Sequence, residues 1–470
     1  MRGWTLVGLG LASSSLAAQQ PNDAKAYVTV SDPVVALTNV TVIDGTGAAP
    51  AKNETIVIQG GKIAQVGPAA SVQVPSGAKT MDLHGSTVIP GLVGMHDHLF
   101  YFAVGGREIM DSYSGPRLYL GSGVTTIRTT GTISPYQDLA TKRAIDEGQE
   151  PGPRVYITAP YITGAGPNGA GVMAVLNTPE QSKEFVDYWS TQGATWLKAY
   201  TDIRRSELKA AIDEAHKKGL KVTGHLCSVT YEEAVDLGID NLEHGYATAT
   251  DFDPNKTPDT CPANSLVTVS SAVPNATTAK AVYKKMIDHH VSMTSTMDVF
   301  EMLLPNRPYD PRLPDLMSPD LKVLYLQLRA KIDSGASAHW PFKTEAIKNA
   351  EAFEKGFYDA GGLMVAGSDP TGIGTPPGLG DQREYELLAE AGLTAPQVVQ
   401  IMTSNGAKVL GASDKFGSIE RGKSADLVVL DGDLASDPTV IHKVTTVFKE
   451  GVGYDSAKLI NDCKGHLGVN

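Results

Sequence analysis

The residues best suited to chemistry in this sequence stand at the ends of short apolar runs. His96 and His98 close the run PGLVGMHDH two positions apart, so on a strand both imidazoles project to the same side. Imidazole suits zinc and similar ions, and two of them at a strand end make half of a metal site. Lys198 stands in WLKAY behind Trp196 and Leu197. An ammonium among apolar neighbours tends to lose its proton. The neutral amine can then add CO₂ and become a carboxylate able to bridge two cations. VTGHL places His225, NLEHG places His244 and AGSD places Asp369 at the ends of further runs. Any one of these alone reads as an ordinary structural residue; metal-type ligands at five separate run ends do not. Tyr200 lies two beyond Lys198 and shares its face if the strand continues, where it can hydrogen-bond a substrate or simply pack. Arg128, ending the second run, can hold a substrate carboxylate bidentately. His339, beside Trp340, is a candidate substrate contact, whereas His289 and His290 precede a run and read as structural.

Something must bring these ends together. Eight short apolar or β-branched runs recur: Thr87–Val93, Val124–Arg128, Arg154–Thr158, Thr195–Ala199, Lys221–Gly224, Ile239–Leu242, Val291–Ser295 and Leu363–Ala366. Helical patterns separate them. SELKAAIDEAHKKGL has a stripe of Leu208, Ala211, Ile212 and Ala215, and TPEQSKEFVDYW opens with Thr178 as an N-cap and Pro179 in the first turn. Eight strands alternating with helices predict a (β/α)₈ TIM barrel, whose sites gather at the C-terminal strand ends. An open doubly wound sheet is the alternative, but no glycine-rich phosphate fingerprint follows the first run. Two long connections, 247–285 and 297–342, fall where lids and substrate walls are found. Hairpin texture at both ends, with a Gly60-Gly61 turn on one side and GSIERGKSADLVVLDGD on the other, predicts a small β-sandwich domain built from both chain ends. The expected division is a signal peptide at 1–18, sandwich segments at 19–88 and 413–470, and the barrel at 89–412.

The 470 residues are 41% apolar and carry a net charge of −12. So acidic a chain, without a basic run, lacks the attraction to phosphates that nucleic acids or anionic membranes require. The expected partner is a small-molecule substrate, and a homo-oligomer is compatible with the sequence. Arg2, the apolar run Trp4–Leu11 and the small residues before Ala18 form a signal-peptide pattern, which predicts a periplasmic or secreted protein. No later stretch reaches the roughly 20 apolar residues of a membrane span. Cys227 follows the fifth run and Cys261 lies in the connection after the sixth. Neighbouring strand ends and an oxidising compartment predict a Cys227–Cys261 disulfide, with Cys463 free.

Nearly all of the expected mature chain resembles the amidohydrolase superfamily, in its imidazolonepropionase-like and prolidase-like branch. The likeness rests on VIDGTG, GGKIAQVG, VIPGLVGMHDH, GVTTIR, WLKAY, ELKAAIDEAHKKGLKV, NLEHG, AGSD and GSIERGKSADLVVLD. It implies two divalent metal ions, zinc foremost, in a site where His96 and His98 bind one ion and His225 and His244 the other. It further implies an N6-carboxylated Lys198 bridging both ions, and Asp369 touching the first and handling the proton of the nucleophile. The implied activity is hydrolysis of an amide or related C–N bond in a dipeptide, an N-acyl-amino acid or a cyclic amide. Relatives often carry an acidic residue just after Arg128; Thr129 and Thr130 stand here instead.

Two other readings compete. A mononuclear deaminase of the same superfamily needs no bridging lysine and usually has a His-x-x-Glu pair near the fifth strand, but Leu226, Cys227 and Ser228 follow His225. A catalytically silent binding relative would have lost ligands, and here all six positions are filled. A serine hydrolase is disfavoured because GxSxG is absent.

Overall fold

The computed structural model describes residues 23–168, 171–334 and 341–469. The expected signal segment and His339 lie outside them. The fold is mixed α/β, with one sheet made by the two chain ends and parallel strands between.

Nine strands form the end sheet. Val28–Val30, Val34–Val42, Ala51–Gln59, Lys62–Pro68, Lys79–Asp82 and Thr87–Pro90 come from one end, and Leu427–Leu430, Val444–Lys449 and Val452–Asp455 from the other. The expected Gly-Gly hairpin is present: Gln59 pairs with Lys62 across Gly60 and Gly61, both with positive φ as a tight two-residue turn requires. Leu427–Leu430 runs antiparallel to Thr87–Pro90 on one side and Val444–Lys449 on the other, which ties the two ends together. Val35, Leu37, Ile56, Ile58, Leu427 and Phe448 share its apolar core.

The eight expected runs all contribute parallel strands, with two differences. The first run divides: Thr87–Pro90 joins the end sheet and Leu92–Asp97 begins the parallel strands. Pro90 cannot donate to a ladder. At Gly91 a Cβ would lie 2.1 Å from Thr125 Oγ1, so only glycine lets the second strand pass this close. The third run breaks at Ile157 into Arg154–Tyr156 and Thr158–Thr163. Two parallel sheets result. Arg154–Tyr156, Val124–Thr129 and Leu92–Asp97 form one. The other runs from Ala174–Val175 through Thr158–Thr163, Trp196–Ala199, Lys221–Gly224, Asn241–Glu243 and Ser292–Ser295 to Met364–Ala366. Hydrogen bonds connect them at both junctions: Thr158 N–H donates to Thr129 Oγ1 at 3.0 Å at one, and Asp369 N–H donates to His96 O at 2.8 Å and Ser368 Oγ to Asp97 Oδ1 at 3.1 Å at the other.

The helices follow their patterns. Arg205–Lys217 buries Leu208, Ala211, Ile212 and Ala215, and Thr178 caps Pro179–Thr191 by accepting from Gln181 N–H. The two long connections contain helices, among them Ser265–Ser271 after the sixth strand and Met297–Glu301 and Pro319–Asp333 after the seventh. Cys227 and Cys261 are joined by a disulfide, and Cys463 is free and buried.

Candidate metal centre and active site

The strand ends gather the predicted ligands around one buried point. The His96 ring lies 5.5 Å from that of His98 and 4.5 Å from that of His244, and His225 is 4.4 Å from His244 between centroids. Asp369 closes the ring of ligands. Its Oδ1 is 3.1 Å from His98 Nε2 and 3.5 Å from His96 Nε2, and its Oδ2 is 3.8 Å from His244 Nδ1. His96, His244 and Asp369 present ligand atoms within 4.8 Å of one another, a spacing one cation can span. His244 and Asp369 both sit in the left-handed region, with φ of 67° and 48°. For residues other than glycine that conformation is strained, and such strain collects where a side chain must be aimed.

Three of the imidazoles have a partner on Nδ1. His96 Nδ1 lies 2.8 Å from Glu243 Oε2, His98 Nδ1 3.1 Å from Gly131 O, and His244 Nδ1 2.8 Å from Thr296 Oγ1. Such partners fix ring orientation and leave the inward nitrogen as an electron-pair donor. His244 Nε2 is buried without a hydrogen-bond partner among the described residues. Burial, reinforced by Lys198, pushes His96 well below the usual imidazole range and His225 down to about 3. Burial and the neighbouring imidazoles do the same to His244. All three are therefore neutral, the form that binds cations.

Lys198 is the group out of place. It is 1% exposed, and its Nζ has no hydrogen-bond partner among the described residues. Burial pulls its amine down to about 8, against the opposing pull of Glu243 and Asp369. Burial alone would raise Asp369, but His96, His98 and Lys198 outweigh it and hold the carboxylate ionised. An orphaned buried amine beside four imidazoles and a carboxylate fits a centre completed by cations and by a modified lysine.

Tyr200 faces the same cavity, its ring 4.7 Å from that of His225 and 5.5 Å from that of Tyr161. The cavity is about 290 Å³. Ile133, Met173, Val299, Phe300 and Leu303 supply apolar wall, and Glu108, Asn168, Tyr161 and Thr371 polar wall.

Arg128 does not line this cavity. It is fully buried beneath the site, donates to Glu243 Oε1 at 2.6 Å and to Met95 O, and lies 4.5 Å from the Trp196 ring. Its guanidinium holds Glu243, which holds His96, so it positions a ligand where a grip on substrate was expected.

Sequence reasoning missed Glu243. In NLEHG it precedes a chosen ligand, and on a regular strand neighbours point to opposite faces. The left-handed turn at His244 breaks that alternation, so both residues meet His96. An acid ending an apolar strand was the available signal. Asp97, between His96 and His98, was also passed over; it accepts from Ser368 Oγ at 3.1 Å, and burial pushes its carboxyl up to about 7.

Parallel strands with polar ligands converging at their C-terminal ends define a class of metal-site α/β proteins. The amidohydrolase family model matches residues 87–453, and the chain belongs to that family. Among curated proteins, an uncharacterized protein of Mycobacterium tuberculosis and one of Mycobacterium bovis are 28% identical over 191 residues, covering 37% of this chain and 49% of theirs. The chain thus spans about half the length of these curated relatives. Solved structures share the fold. A Xaa-Pro dipeptidase with bound methionine in its active site is similar at a TM-score of 0.68 and 21% identity, over 90% of this chain and 100% of that one. Phenylurea hydrolase B gives 0.66 and 20% over 93% and 100%, and the A. niger ochratoxinase 0.63 and 18% over 90% and 95%.

Proposed function

We propose that this protein hydrolyses an amide or related C–N bond of a small molecule with the help of two divalent cations, zinc foremost. The observation that carries the proposal is the partnerless Lys198 amine, buried among neutral imidazoles and an ionised Asp369. His96 and His98 would hold one cation and His225 and His244 the other, with Asp369 on the first and Lys198 on both. Bound there, the cations supply polarisation of a carbonyl and a water ionised at neutral pH.

The chain's own residues do the rest. Lys198 Nζ, losing a proton, bonds to the carbon of CO₂ and becomes an anion where an ammonium would repel cations. Asp369 accepts a proton from the attacking water and delivers it to the leaving nitrogen. Tyr200 donates a hydrogen bond toward the substrate carbonyl or carboxylate. The apolar wall of Ile133, Met173, Phe300 and Leu303 suits a bulky acyl or aromatic group. Dipeptides, N-acyl-amino acids and cyclic amides are the substrate classes, the first in keeping with the fold shared with a Xaa-Pro dipeptidase.

The same reading closes the two parallel sheets into one (β/α)₈ barrel over 89–412, supported by the hydrogen bonds at both junctions. Residues 19–88 and 413–470 fold together as a β-sandwich domain, and 1–18 serve as a signal peptide for a periplasmic or secreted protein. The Cys227–Cys261 disulfide supports an oxidising compartment.

The test is metal analysis beside a panel of dipeptides and N-acyl-amino acids. Two cations per active chain, and one cation or fewer with lost turnover in Lys198→Ala, are expected. Addition of a short carboxylic acid should restore part of that turnover. A fully active Lys198→Ala enzyme holding two cations would overturn the bridge, and one cation per active wild-type chain with plain lysine would favour deamination.

A further inference from the structure

The helix Met297–Glu301 has two cavities on it. Val299 and Phe300 line the catalytic cavity, while Asp298 and Glu301 line a separate one of about 450 Å³. The second cavity lies between the connections that follow the seventh and eighth parallel strands, and His442 from the C-terminal segment reaches its wall.

Most of its charged lining is already paired. Glu301 accepts from Arg307 and Arg383, Arg312 pairs with Asp310, Arg329 with Asp333, and Glu386 with Arg383 and His442. Asp298 differs. It is 3% exposed, and neither carboxyl oxygen has a hydrogen-bond partner among the described residues. A buried polar group left so is destabilising, a loss that a ligand supplying a donor would recover. Burial, with Glu384 and Asp381 close by, drives this carboxyl well above the usual range, so it stands protonated until a cation beside it offsets the neighbouring acids. The remaining wall is aromatic and apolar. Tyr309 and Tyr325 stand with rings 6.2 Å apart and near perpendicular, beside Met302 and Leu379. Aromatic faces attract cations as well as rings. The volume is that of a small-molecule site.

We propose that this cavity is a second ligand site, distinct from the catalytic one, which takes a small organic ammonium with an aromatic body through Asp298 and the Tyr309–Tyr325 wall.

The probes are tyramine, a phenol-bearing ammonium, and 4-ethylphenol, its uncharged counterpart, titrated calorimetrically into the full-length protein. Tyramine is expected to occupy a single site, with 4-ethylphenol weaker by about tenfold or more, the worth of a charge-assisted hydrogen bond. Asp298→Asn should weaken tyramine by a similar factor, whereas Glu108→Gln, which alters a carboxylate on the wall of the catalytic cavity, should leave it unchanged. Gly374→Phe keeps the test open if Asp298→Asn does not fold. A Cβ at Gly374 meets Met302 and Tyr325 at 3.4 Å, ordinary contact, so the added ring enters the cavity and should abolish binding. The proposal falls if tyramine does not bind at millimolar concentration, or if the neutral probe binds equally well. Binding that survives both cavity variants, or that Glu108→Gln abolishes, also overturns it.

Discussion

Asp369 is held among three imidazoles by a backbone that an aspartate adopts only under constraint. Its φ is 48°, its N–H is tied to His96 O, and its Oδ1 lies 3.1 Å from His98 Nε2. His96, His98 and Lys198 outweigh burial and keep the carboxylate ionised, the form that the proposed proton transfer requires. Asp369→Asn keeps the shape and a ligating oxygen but cannot accept that proton. Turnover is expected to fall by about 10²–10⁴-fold, the usual worth of a general acid–base group, with most metal retained. Elemental analysis and steady-state rates of the same preparation check it, and an active Asn variant removes Asp369 from the proton path. At this scale His96, His98, Lys198, His225, His244 and Asp369 were legible because each interrupts an apolar run with a group that apolar surroundings do not favour. Glu243 and Arg128 show where that reading stops. Their partnership crosses between strands far apart in sequence, and the left-handed turn that brings Glu243 beside His244 leaves no mark in residue type.

At the level of elements, periodicity located the parallel strands but not their breaks. Thr87–Val93 is one apolar run in sequence, and only the close approach of Thr125 at Gly91 shows why the chain must change sheets there. The connection after the sixth strand shows the opposite case, since its covalent anchor was readable from two cysteines. That bridge closes a segment with a sequence separation of 34 and joins it to the turn that carries His225. Within the segment, Thr250 Oγ1 donates to Cys227 O and Asp259 is gripped by Arg205, so the segment is pinned at several points. A loop of this length makes the disulfide worth about 2–4 kcal/mol, chiefly by restricting the unfolded chain. Cys261→Ser is expected to lower the free energy of unfolding by that amount in urea. It should leave metal content nearly unchanged, because His244, the one candidate ligand between the two cysteines, is also held by Thr296 Oγ1 at 2.8 Å. An unchanged urea midpoint would show that the noncovalent contacts suffice.

Across the whole molecule, the strand Leu427–Leu430 belongs to two cores at once. Leu427 and Val429 pack into the end sheet, whereas Val428 and Leu430 join the large cluster that holds the parallel strands and their helices. Alternation along a strand sends successive side chains to opposite faces, so four residues couple the chain ends to the scaffold of the candidate metal centre. The proposed ligands themselves come from positions 96 to 369 and converge only in the folded chain. A cation that binds there and not to the unfolded chain stabilises the fold by about 2.7 kcal/mol at a hundredfold excess over its Kd. Because the cores share a strand, that stabilisation should reach the end sheet. Zinc added to chelator-treated protein is expected to raise the melting midpoint, and to raise it less in Lys198→Ala. Amide hydrogen exchange, read under conditions where it reports global opening, should slow at Leu427–Leu430 by the same factor as at Trp196–Ala199. Slowing confined to Trp196–Ala199 would mean that the end sheet opens on its own, and that the shared strand does not transmit the metal's contribution.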